Sequence, residues 1–239
     1  MAVEPDTLCA SPSLTCSWMT RAMPKKVDLQ HYYRRDTFQA FLQHDMPVVS
    51  ITCELDVTQL WALRRHHGLR FFPLLALAID RSINALTEFR HRIIAGELYE
   101  FDAVHPSFTV LRGDNSLTFC DAQHLADPAA FCRQVEGLGA QVRQQANQDM
   151  RDKHERYFVT NLPWLRFTSI SHPYIARYAS IPIVSIGKCT PVGGQMLLPV
   201  AVQGHHSLVD GFHLAEFYRL LQAQLDAADA LLDGVLAPA

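Results

Sequence analysis

What is missing from this sequence narrows its function before any motif is read. No apolar run reaches the roughly 20 residues needed to cross a bilayer as a helix, so no membrane role is expected. No excess of one charge is present either: the formal net charge is −3, and nothing in that balance asks for a nucleic-acid partner. None of the six cysteines (Cys9, Cys16, Cys53, Cys120, Cys132 and Cys189) belongs to a CxxC pair, and four fall in periodic segments. Reduced thiols in a cytoplasm are therefore expected rather than disulfides. No internal repeat is visible. Residues 1–24 lack the basic start and continuous apolar centre of a secretory signal, and with Pro5, Ser11, Pro12, Ser13 and Pro24 they read as a loose extension.

What is present suits one ordinary globular α/β unit. At 239 residues, with 49% hydrophobic and 19% charged, the chain can bury a sizeable single core. We expect one domain over residues 25–230 and a tail over 231–239. Periodicity predicts a helix over His31 to Leu42, a strand over Met46 to Leu55 and helices over Thr58 to His67 and Phe71 to Leu86. Short strands follow at His91 to Ile94, Glu97 to Phe101, Pro106 to Leu111 and Leu117 to Cys120, punctuated by Gly96 and Gly113-Asp114-Asn115. Asp127-Pro128 opens a polar helix reaching Gln148. Runs Ile181 to Lys188 and Met196 to Gln203 read as strands, and Asp210 to Leu225 has helical spacing.

The chemistry concentrates between those last two elements, in Gln203-Gly204-His205-His206-Ser207-Leu208-Val209-Asp210-Gly211-Phe212-His213. An imidazole accepts a proton near neutral pH without any environmental shift, which makes a histidine here a candidate general base. Asp210 is placed to cap the following helix. Read structurally, the same stretch is a capping aspartate, a turn glycine and two adjacent histidines.

The stretch closely resembles the signature of chloramphenicol acetyltransferases, His-His-x-x-x-Asp-Gly-[Phe/Tyr]-His. Three further segments resemble that family in the same order: Pro106-Ser107-Phe108-Thr109-Val110, Thr160-Asn161-Leu162-Pro163-Trp164 and Leu197-Leu198-Pro199-Val200-Ala201-Val202-Gln203. His105 replaces an aspartate of the first segment, and Thr160 a serine of the second. The resemblance spans roughly Val27 to Leu225. It implies a two-layer α/β sandwich, a mixed β-sheet covered by helices, and an acetyl-CoA-dependent O-acetyltransferase acting on chloramphenicol.

The resemblance also assigns roles. His206 is the base that takes the acceptor's hydroxyl proton, Thr160 the hydroxyl that steadies the oxyanion, and Ser185 the residue that holds a water beside it. Asp210 pairs with Arg34 to fix the loop. On the acyl-CoA side fall Arg70, Lys188 and Thr160; on the acceptor side Phe41, Phe119, Asp121 and Ala40. Ala40 stands where a phenylalanine is usual and Asp121 where a small apolar residue is usual, and a buried carboxylate at Asp121 needs a partner, of which a basic group on the acceptor is one candidate. Acetyl-CoA is a cosubstrate, no cofactor or metal is bound permanently, and a homotrimer with active sites at its subunit interfaces is implied. Two other readings stay open: the same chemistry on a different small alcohol or amine, and a non-catalytic CoA-binding protein. A metal site built from His205, His206, Asp210 and His213 ranks last.

Overall fold

A computed structural model describes residues 23–149 and 153–236. In chain order the elements are β1 (Lys25–Lys26), α1 (Arg35–Leu42), β2 (Val48–Asp56), α2 (Thr58–His66), α3 (Phe71–Asn84), α4 (Thr87–Arg90), β3 (His91–Ile94), β4 (Glu97–Glu100), β5 (His105–Leu111) and β6 (Leu117–Asp121). They are followed by α5 (Pro128–Gln144), β7 (Arg156–Asn161), β8 (Ile183–Ile186), β9 (Thr190–Val192), β10 (Gln195–His205), α6 (Gly211–Asp226) and α7 (Ala228–Leu236). The main sheet has the order β2-β10-β8-β7-β5-β6, with β9 also on β10. It is mixed, because β7 runs parallel to both β5 and β8 while the remaining pairs are antiparallel.

Alternation along the strands decides which face is covered. Phe108, Val159, Val184 and Val202 are cross-strand neighbours, and all are buried. They point toward the helices, where α6 packs on β2, α5 on β5 and β6, and α3 on both α5 and α6. Residues one position away face the other side. Two rows result on this face, away from the helices, Asp121–Ser107–Phe158–Ile183–Gln203 and Thr160–Ser185–Ala201–Thr52, and in them Ser107, Ser185, Ala201 and Gln203 are buried.

Several expectations shift once tertiary contacts compete with local pattern. The first helix begins at Arg35 rather than His31, because the Asp28 carboxylate accepts the Gln30 N–H and lies 2.8 Å from His31 Nδ1, holding a turn there. Residues 231–236 belong to α7, not to a tail, and Leu231 and Leu232 are buried. Gly234 lets α7 approach the start of α5, since a Cβ at that position would lie 2.9 Å from Pro128 Cγ. Strand β7, unmarked in the sequence reading, is central to the sheet. Arg92 fixes its start: the fully buried guanidinium donates to the carbonyls of Phe89, His91, His154 and Arg156. Asp127 caps α5 as expected, accepting from Ala129 and Ala130 N–H. Cys53, Cys120, Cys132 and Cys189 are free thiols. The extension expected over residues 1–24 lies outside the described residues except for Met23 and Pro24. No described helix is long and apolar enough to cross a membrane.

Candidate active site

The backbone itself bends the segment after β10. The His205 carbonyl accepts the N–H groups of Leu208 (2.8 Å) and Val209 (3.0 Å), folding the chain back on the strand. Gly204 leaves the space, because a Cβ there would stand 2.5 Å from Val209 Cγ2. His206 N–H donates to the Pro47 carbonyl at 2.8 Å, which ties the turn to the start of β2. The His206 ring stacks on Phe41 of α1, with centroids 3.9 Å apart and planes 15° from parallel. His205 is buried, accepts the Ser207 N–H at Nδ1, and is pushed down by burial to about 4. It stays neutral and packs.

Asp210 holds this turn to the body of the domain. Its carboxylate accepts the Phe212 N–H (3.0 Å) and the Arg34 guanidinium (2.5 Å), and lies 2.8 Å from His213 Nδ1. On its other side the His213 ring is 3.0 Å from the Tyr33 hydroxyl, which donates to Glu88. Burial alone would raise the Asp210 carboxyl, but Arg34 and His213 hold it well below the usual carboxylate range. An aspartate so firmly ionised is a strut for the loop rather than a proton carrier. The expected Arg34–Asp210 pair is therefore present, and His213, named in sequence as part of the motif and of the last-ranked metal site, joins it.

Thr160 and Ser185 lie elsewhere, side by side on the face of the sheet away from the helices. Thr160, with Phe119, Phe158, Tyr174, His172 and Gln203, helps to line a cavity of about 310 Å³, while Ser185 is buried behind His172. Asp121 sits at its margin, cross-strand from the lining residue Ser107. Its partner is not left to the acceptor: Lys153 Nζ is 2.5 Å away and Asn147 Nδ2 3.1 Å. Burial raises this carboxyl, and the Lys153 ammonium more than offsets that, so the net shift is downward. Phe41 and Ala40, expected in the same pocket, are instead on α1, Phe41 against His206 and Ala40 exposed.

A second cavity, of about 280 Å³, opens beside the first, and Thr109 lines both. Arg70, expected on the acyl-CoA side, lines it together with Arg143, Asn161 and the exposed Trp164. Lys188 is exposed and not among the lining residues; its N–H donates to the carbonyl of Leu165, next to the lining Trp164. Sequence reasoning missed Lys153, Arg143 and His172. Arg143 lies in the polar helix opened by Asp127-Pro128, Lys153 in the charged stretch 149–156, and His172 in the aperiodic Ser171-His172-Pro173-Tyr174, where no spacing signals a role.

Within one chain the two sets of residues do not meet. Thr160, Ser185 and Ala201 stand in one cross-strand row, and His206 follows Ala201 by five residues. At ~3.3 Å per strand residue, that puts it about 17 Å along the strand direction from the row.

The family model described as chloramphenicol acetyltransferase matches residues 23–222. The chain belongs to the chloramphenicol acetyltransferase family. Members of this family are acyltransferase enzymes. Among similar proteins, chloramphenicol acetyltransferase 2 of Escherichia coli is 28% identical over 212 residues, 84% of this chain and 96% of the relative. The chloramphenicol acetyltransferase of Bacillus pumilus is 27% identical over 220 residues, 90% of this chain and 99% of its own. A solved chloramphenicol acetyltransferase superposes with a TM-score of 0.79 at 23% identity, covering 85% of this chain and all of that one. An Azotobacter vinelandii dihydrolipoamide acetyltransferase shares the fold more distantly, with a TM-score of 0.62 at 19% identity over 95% of this chain.

Proposed function

We propose that this protein transfers the acetyl group of acetyl-CoA to a hydroxyl of chloramphenicol, and that each active site is formed between two copies of the chain. The observation that carries the second half is the separation of His206 from Thr160 by about 17 Å along the sheet. A base must come within about 3 Å of the hydroxyl it deprotonates, so the two residues of one chain cannot serve one acceptor. Pairing His206 of one copy with the Thr160 face of the next resolves this, and the family resemblance favours closure as a homotrimer.

In this arrangement the acceptor occupies the 310 Å³ cavity and acetyl-CoA approaches along the 280 Å³ one, where Arg70 and Arg143 offer guanidinium donors to phosphates. His206 removes the acceptor's proton as its oxygen attacks the thioester carbonyl, with Phe41 holding the ring in place. Thr160 Oγ1 donates to the oxyanion as it forms. The CoA thiolate then leaves and recovers the proton from His206. Such a reaction in a cytoplasm confers resistance to the antibiotic.

A second reading keeps the chemistry and changes the acceptor to another small alcohol or amine. The Asp121–Lys153 pair at the margin of the cavity and the imidazole of His172 inside it favour this, since both are more polar than a purely apolar pocket requires. The deciding experiment follows free CoA thiol from acetyl-CoA with chloramphenicol, against His206→Ala. Rapid release that depends on His206 supports the first reading. No release, in protein shown by calorimetry to bind CoA, moves the assignment to the second.

A further inference from the structure

We infer that His172 is a specificity-determining residue of the acceptor cavity, and that it selects acceptors carrying a second hydroxyl besides the one acetylated. This rests on the reading of the 310 Å³ cavity as the acceptor site. The walls of that cavity are mostly apolar and aromatic, from Phe119, Phe158, Tyr174, Ile175 and Ile183, so each polar group inside it weighs heavily in what it accepts. His172 is one of those groups, and it is held from two sides. Its Nε2 lies 2.6 Å from Ser185 Oγ, and its backbone N–H donates to Gln203 Oε1 at 3.3 Å. Both anchors are buried side chains on adjacent strands, β8 and β10. The ring therefore cannot swing away without breaking a bond to the sheet.

Its other nitrogen, Nδ1, has no hydrogen-bond partner among the described residues. Burial lowers the tendency of the ring to protonate, so the imidazole is neutral, with one nitrogen donating and the other accepting. If Ser185 donates to Nε2, then Nδ1–H is a donor; if Nε2–H donates to Ser185, then Nδ1 is an acceptor. A hydroxyl satisfies either tautomer, because it can both donate and accept. Gln203 beside it adds an amide, and Thr160, the proposed oxyanion donor, marks where the thioester carbonyl meets the reacting hydroxyl. An aromatic molecule with two hydroxyls, one delivered beside Thr160 to His206 of a neighbouring copy and one held by His172, matches the chemistry of this lining. The engagement of Ser185 by His172 also means that the Ser185 hydroxyl is committed to positioning this ring.

The test compares half-saturation for two acceptors, chloramphenicol, which carries two hydroxyls, and its analogue lacking the hydroxyl that is not acetylated. Wild-type enzyme should prefer the diol by about fivefold, the worth of one net neutral hydrogen bond. His172→Leu should remove that preference, raising the KM for the diol about fivefold toward that of the mono-alcohol, with the KM for acetyl-CoA within about twofold. His172→Asn, whose amide stands near the Nδ1 position, should restore part of it. His172→Gln, whose amide reaches Ser185 instead, should not. A preference unchanged in His172→Leu overturns the inference. So does a parallel rise of KM for both acceptors and acetyl-CoA with a lowered melting temperature, which a structural role alone would give. Phe119→Ala separates the two levels: if it leaves the KM for both acceptors untouched, the cavity is not the acceptor site and the reading beneath the inference falls as well.

Discussion

Around His206 the structure is tied by charge and ring contacts, whereas around Thr160 it is set by the ladder of a β-sheet. Asp210, Arg34, His213, Tyr33 and Glu88 form one connected network beneath the His206 turn, and Phe41 covers the imidazole. Thr160, Ser185 and Ala201 need no such network, because cross-strand pairing alone puts their side chains in a row. The difference separates stability from catalysis. Disturbing the first half below the histidine loosens the fold, while disturbing the second changes what the surface binds or stabilises.

The sharpest way to break that comparison is to remove His206, the proposed base. His206→Ala should lower kcat by about 10²–10⁴-fold with an unchanged thermal midpoint, because the ring is not part of the ion-pair network. Thr160→Ala should lower kcat by about 10²–10³-fold, the typical worth of one oxyanion donor, again without a loss of stability. Comparable loss of folding in either variant would merge the two regions. Arg34→Met should do the opposite and destabilise by about 2–3 kcal/mol in urea melts. That is the low end for breaking a buried pair, because Asp210 keeps a third of its side chain exposed.

Acid should loosen the His206 half in two stages. His205, pushed down to about 4 by burial, gains its proton in the unfolded chain near pH 6.5, so stability falls as pH drops from about 6.5 toward 4. Asp210 is depressed relative to its unfolded value, so its contribution is full above about pH 4 and is lost as pH falls below that. Melting temperatures measured from pH 7 to 3 should show both stages, and His205→Gln should flatten the upper one. The smallest effect belongs to the other half. Lys153→Met takes the ammonium from the Asp121 carboxylate and should cost about 1–3 kcal/mol, most of it recovered by adding Asp121→Asn.

Legibility in the sequence follows the same division. The helix cap at Asp127 and the strands of the main sheet apart from β7 and β9 are readable because capping chemistry and period report them locally, whereas the Arg34–Asp210 pair, 176 residues apart, came from the family resemblance. What was not readable depends on contacts between distant segments. Asp121 looked unpartnered because Lys153 is 32 residues away in a charged run. Phe41 and Phe119 looked like one pocket because family position does not report distance, and within one chain Phe41 lies against His206 while Phe119 lines the cavity beside Thr160. β7 escaped notice because a central strand between β5 and β8 owes its form to its neighbours, and α7 because a short apolar C-terminal run acquires meaning only against α5.

The most direct measurement mixes two inactive variants. His206→Ala and Thr160→Ala chains, unfolded together in equal amounts and refolded, should regain up to about a quarter of wild-type activity, because about that share of interfaces then joins an intact His206 to an intact Thr160. Each variant refolded alone should stay near its own low level. If the mixture shows no more activity than the average of the two, both residues act within one chain, and the site shared between copies is wrong.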